Sequence, residues 1–128
     1  MTKNNLIIIV FLALAALSWA ASAGFEEALE AHARGDEQVA FEGFRAAAEA
    51  GDVRAFGKLA GMYLYGAGTE RDYKMAYVWF GLADASGDLY GGKFQGAASS
   101  MLKPEELPAL LQEIEEYKED FGLDETPQ

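Results

Sequence analysis

The segment DEQVAFEGFRAAAEAGD, residues 36–52, returns thirty-six residues later as DYKMAYVWFGLADASGD, residues 72–88. Asp36, Ala40, Phe41, Phe44, Ala47, Gly51 and Asp52 correspond to Asp72, Ala76, Tyr77, Phe80, Ala83, Gly87 and Asp88, and the pairs Val39/Met75 and Val53/Leu89 remain apolar. A period of that size marks stacked supersecondary units, each able to bury its apolar face only against its neighbours. The repeat therefore predicts a binding scaffold rather than a reaction chamber.

Three Gly-Asp dipeptides, at Gly35-Asp36, Gly51-Asp52 and Gly87-Asp88, punctuate the chain. Glycine takes the left-handed conformation that ends a helix, and aspartate accepts hydrogen bonds from the free amides that start the next, so each pair predicts a tight helix-to-helix corner. Between the corners apolar residues recur at three and four residues, the spacing of one helix face. This gives helices near 25–34, 36–50, 52–65, 72–86, 88–100 and 104–121. In the second, Val39, Ala40, Gly43, Phe44 and Ala47 form a face that alternates bulky and small residues, as do Met75, Ala76, Trp79, Phe80 and Ala83 in the fourth. Such faces let helices approach closely while rings fill the gaps.

The link from Tyr65 to Arg71 is different, because Gly66 and Gly68 offer positive φ angles in a short loop. A phosphate-binding loop needs a preceding strand, another glycine spacing and a following lysine, all missing here. The last helix opens with Pro104, Glu105 and Glu106, which suit a first helical turn. Leu107, Leu110, Leu111, Ile114, Tyr117 and Phe121 make its apolar stripe and Glu113, Glu115, Glu116, Glu119 and Asp120 its polar side, the pattern of a helix that closes the open end of a stack. Residues 122–128 read as a frayed tail.

The first 23 residues carry one charge, Lys3, an unbroken apolar run from Leu6 to Leu17, and small residues at Ala21-Ser22-Ala23. That is the pattern of a secretory signal peptide cleaved before Gly24, and the run is short of the ~20 residues a spanning helix needs. The expected location is periplasmic or secreted, with one domain over 24–128 and no membrane contact once the leader is gone. The chain has no cysteine, so no lipid-modified cysteine and no disulfide holds it, and helix packing must suffice. Without Lys3 nine basic residues face 21 acidic ones, a balance that disfavours nucleic acid and anionic membrane as partners. Nine of those acids fall within 104–128, beside Lys118 alone; solubility or a basic partner would explain them.

With those residues in view the chain resembles the Sel-one-like repeat family, relatives of the tetratricopeptide repeat. From Val53 to Asp88 the family order is followed by Ala55, Leu59, Gly61, Tyr63, Gly66, Gly68, Asp72, Ala76, Trp79, Ala83 and Gly87, while Thr69 replaces the usual small aliphatic residue. One complete unit covers about 53–88, partial units cover 36–52 and 88–100, and the helix over 104–121 is similar to the capping helices of such arrays. The resemblance implies an all-α fold, a short α/α superhelical solenoid of antiparallel helix pairs with a C-terminal capping helix. It also implies an adaptor or assembly surface, in bacteria often exported.

In solenoids the first helices of successive units line the concave face, which would place Arg54, Lys58, Met62, Tyr65, Tyr90 and Lys93 on or near a groove. Aromatic and basic side chains together could anchor a peptide with acidic or apolar residues. The remaining aromatic residues at helix-face spacing, Tyr63, Tyr73, Tyr77 and Trp79, read as core.

Catalytic chemistry finds no set of residues. Nucleophilic catalysis needs an activated Ser, Cys or Thr beside a base, yet the chain has one histidine, His32, between Glu30 and Arg34 and without further ligands at metal spacing. Adjacent carboxylates such as Glu26/Glu27, Glu105/Glu106 and Glu115/Glu116 point to different sides of a helix, and no loop has the alternating acids and central glycine of a calcium site. The expectation is a non-enzyme without metal or cofactor that binds a protein or peptide in the cell envelope. The alternative, a hydrolase of cell-wall glycan or peptide, rests on compartment and carboxylate number alone.

Overall fold

Left-handed glycines end most of the helices. The computed structural model describes residues 24–124 and, ahead of them, Lys3, Ile8, Ile9 and Leu12. The expected leader otherwise lies outside the described residues, as does the end of the tail, 125–128. Among the described residues from 24 onward six helices follow one another: α1 (24–33), α2 (Glu37–Glu49), α3 (Phe56–Tyr65), α4 (Tyr73–Ala85), α5 (Gly91–Ser99) and α6 (Leu107–Phe121). No strand occurs among the described residues, and none of their helices is long and apolar enough to cross a membrane. The fold is all-α.

The three Gly-Asp corners are built alike. Gly35, Gly51 and Gly87 have φ of 79°, 85° and 95°. In each, the aspartate amide donates to the carbonyl five residues back (Asp36 to Ala31, Asp52 to Ala47, Asp88 to Ala83) and the glycine amide to the carbonyl three back. This pair of hydrogen bonds satisfies carbonyls that a helix end leaves free. The aspartates then diverge. Asp52 caps the Arg54 amide and Asp88 the Tyr90 amide, and Asp72, which follows the Gly66–Gly68 loop, caps both Lys74 and Met75. Asp36 makes no such side-chain bond, contrary to the expectation for every corner.

Three expected helices begin later than the periodicity suggests. Val53–Ala55 and Pro104–Glu106 are single 3-10 turns that lead into α3 and α6, and α5 starts only at Gly91. At Gly91 the entry is tight, since an added Cβ would stand 2.8 Å from the Asp84 Cα.

The core is aliphatic and aromatic throughout, with no buried charged residue among the described ones. Phe56 of α3 and Trp79 of α4 meet at 5.4 Å, and from α6 Tyr117 and Phe121 reach Trp79 at 5.6 and 6.4 Å. On α6, Leu110 and Ile114 are buried while Leu111 is half exposed at 49 %. Leu111 thus leaves the expected stripe, because Leu110, Ile114, Tyr117 and Phe121 already occupy the face that α4 covers. Tyr63, Tyr73 and Tyr77 are at least partly buried, as expected of core aromatics, with Tyr63 edge-on to Phe41 at 5.3 Å.

Charge and burial predict how stability follows pH. The Arg54 guanidinium beside Asp52 holds that carboxyl below the usual carboxylate range, and the Lys74 ammonium, 2.8 Å from Glu106, does the same there. A carboxylate so depressed adds stability above its unfolded pKa of about 4 and loses it as pH falls through the folded value. Burial pushes the Tyr63 and Tyr117 phenols up, with nearby acids such as Glu49 adding to it. That contribution is complete below the unfolded pKa of about 10 and disappears as pH rises through the folded one. Thermal melts across the pH range are therefore expected to show a plateau near neutrality with losses at both ends. An unchanged midpoint above about pH 11 contradicts the alkaline limb.

Candidate functional site

Helix α3 carries glycine at 57 and 61, four residues apart and so on one face. A helix-interior glycine costs about 1 kcal/mol relative to alanine. At Gly61 an added Cβ would meet nothing within 4 Å, whereas at Gly57 it would come 3.0 Å from Asp88 Oδ2. The missing side chains open depressions on either side of the helix.

Each depression measures about 230 Å³, and Gly57 and Lys58 line both. The first also has His32 of α1, Phe44 of α2, and Gly61, Met62 and Tyr65 of α3, with Ala67 beyond the helix end. The second has Arg54 on one side and Tyr90, Gly91 and Phe94 on the other, with Phe80 of α4 and Asp88 between them. Phe44 and Phe80 are residues that correspond in the thirty-six-residue repeat, and both are buried. Each stacks or abuts a ring of a flanking helix: Phe25 for Phe44 at 5.6 Å, Phe94 for Phe80 at 5.4 Å. The repeat in sequence is thus a repeat in surface shape.

The structure brings five of the six residues expected at a groove to these depressions. Tyr65 and Tyr90 are exposed at 67 % and 64 %, Lys58 is exposed, and Met62 is buried in the floor of the first. Lys93 is exposed on α5 but lines neither depression. One residue's rotation explains this, since Phe94 takes the inward position and Lys93 sits about 100° round from it.

Arg54 is present but committed elsewhere. Its Nη2 lies 2.8 Å from Asp52 Oδ2, its Nη1 3.2 Å from Glu26 Oε1, and its Cζ 4.2 Å above the Phe25 ring. It ties α1 to the corner before α3 and has little charge to offer a ligand. Lys58, by contrast, forms no ion pair among the described residues. His32 turns to Glu37, Nδ1 to Oε2 3.1 Å, in keeping with an exposed, partly packed histidine.

His32, Phe44, Gly61 and Phe94 are not expected at this surface from the sequence. Phe44 reads as core, Phe94 belongs to no motif in the sequence, and Gly61 has no side chain to draw attention; its four-residue spacing from Gly57 is the signal that could have found it. Two larger depressions have less enclosed walls. One, of about 510 Å³, is lined by residues of α6 alone and is acidic through Glu113, Glu116 and Asp120. The other, of about 490 Å³, lies along α1 and α2 near Val39 and Gly43. Among the described residues no three His, Asp or Glu side chains converge as metal ligands would. Comparisons with family models, with curated proteins and with solved structures found no match to this chain.

Proposed function

We propose that the chain is a non-catalytic adaptor of the Sel-one-like type, a short α/α solenoid closed by α6, that binds a protein or peptide segment along the surface of α3. The observation that supports it best is the duplication of Phe44 and Phe80 as floors of adjacent depressions, one period apart. At about 230 Å³ each, they fall below the 300 Å³ or so at which pockets for whole small ligands begin, and suit single side chains of a longer partner. Exposed Tyr65 and Tyr90 stand at the two ends of the surface, and tyrosine at a rim supplies contact area with little entropy to lose. The leader pattern supports an encounter in the cell envelope, after cleavage before Gly24.

Affinity capture from an envelope extract with the intact protein, beside a Tyr65→Ala/Lys58→Glu double variant, tests the assignment. At least one prominent partner is expected to be lost from the variant. Identical recovery by both would remove the α3 surface from the proposal.

A further inference from the structure

We infer that the depression between α1 and α3 selects one apolar side chain with a carboxylate next to it in sequence, so that the partner segment is acidic and not basic. The inference rests on the α3 surface being the binding face, and it adds the chemistry of what binds there.

Two features of the depression carry it. Its walls, Phe44, Met62, Ala67 and the bare faces of Gly57 and Gly61, are apolar, and no carboxylate lines it. Its basic members are His32, already facing Glu37, and Lys58, which has no carboxylate partner among the described residues. Elsewhere this chain is strongly acidic, with 21 acids against 10 bases and a net charge of −11. Lys74, Lys118, Arg34, Arg45 and Arg54 each sit within 4.0 Å of an acidic oxygen. Arg71, Lys93 and Lys103 are likewise without an acidic partner among the described residues, but none of them lines this depression, so Lys58 is the attachment point that the apolar well offers an anion. The general field repels acidic segments and attracts basic ones, so an acidic ligand must be held by short-range contact at Lys58 rather than by steering from a distance. A basic segment would meet Lys58 as a like charge next to the anchor pocket, where such a pairing costs most. The second depression is mixed, with Asp88 opposite Arg54 and Lys58, and carries no such preference.

A random dodecapeptide library displayed on phage, selected against the immobilised full chain, tests this. The expected winners place Phe, Tyr, Leu or Met within two residues of Asp or Glu. Synthetic copies of the best, followed by fluorescence anisotropy, are expected to bind at least about tenfold more weakly to Lys58→Glu and to Gly61→Leu. The leucine side chain introduced by Gly61→Leu starts in open space, so the variant keeps its melting temperature; Gly61→Ala, smaller still, serves if it does not. Winners that are basic or uncharged yet still blocked by the change at Gly61 overturn the acidic-ligand assignment and leave the α3 surface standing. Winners indifferent to both changes, or no winners at all, sink the surface and the assignment together.

Discussion

Gly68→Ala is expected to lower the unfolding free energy by about 3–5 kcal/mol, the sum of a left-handed backbone penalty and the displacement of packed backbone. Gly68 has φ of 69° in the loop between α3 and α4, and an added Cβ would collide with the carbonyl of Glu37 at the start of α2. The obstacle is backbone of another helix, which cannot rotate away as a side chain can. Gly35→Ala isolates the two causes. It has φ of 79° but nothing within 4 Å of an added Cβ, so only the conformational cost of about 1–2 kcal/mol applies. Urea unfolding of both variants measures the difference. Equal losses would mean that the loop yields freely and that its contact with α2 contributes nothing.

The second large effect is expected from Trp79→Ala, at about 3–5 kcal/mol for a buried aromatic deleted from a core. Against a total of about 5–15 kcal/mol for a small domain, that approaches unfolding. Trp79 is 2 % exposed and touches rings of both α3 and α6, so its loss removes a large part of what holds the last helix. Limited proteolysis is expected to cut the variant first within Leu107–Phe121. Trp79→Phe should cost much less, because it keeps a ring and because the indole Nε1 has no hydrogen-bond partner among the described residues to lose. A loss for Trp79→Ala below about 1 kcal/mol, or cutting no faster at α6, would show that α6 is held by other contacts.

How much of this is legible in the sequence differs by the range of the interaction. The corners at Gly35, Gly51 and Gly87 are legible because a left-handed glycine and the amide bonds around it involve six successive residues. Phe44 and Phe80 are legible as a pair because their surroundings repeat. Neither kind of signal reveals that Arg54 is spent on Glu26 and the Phe25 ring, since those partners lie in another helix and no spacing rule joins them. A three-and-four spacing admits Leu111 to the apolar stripe; only the position of α4 decides between Leu110 and Leu111. The first repeat also hides a substitution of size. Where the second pairs Phe56 with Trp79, α1 and α2 approach through Ala28 and Gly43, and an added Cβ on Gly43 would stand 2.7 Å from that of Ala28. Both arrangements fill space, one with rings and the other by bringing backbones together. Lys93 misses the site by a single step round a helix, and the site's open side at Gly61 consists of an atom that is missing.

Gly51 is covered by the Phe121 ring, whose Cδ1 would be 3.3 Å from a Cβ at that position, and the same ring lies against Phe56. A corner made early in synthesis is therefore roofed by the last residue of α6. Chains emerge from the ribosome N-terminus first, so every nascent copy passes through an interval in which the α2–α3 junction is formed but wet. The arrival of α6, rather than any event local to the corner, sets the earliest moment at which the α2–α3 junction can be dried.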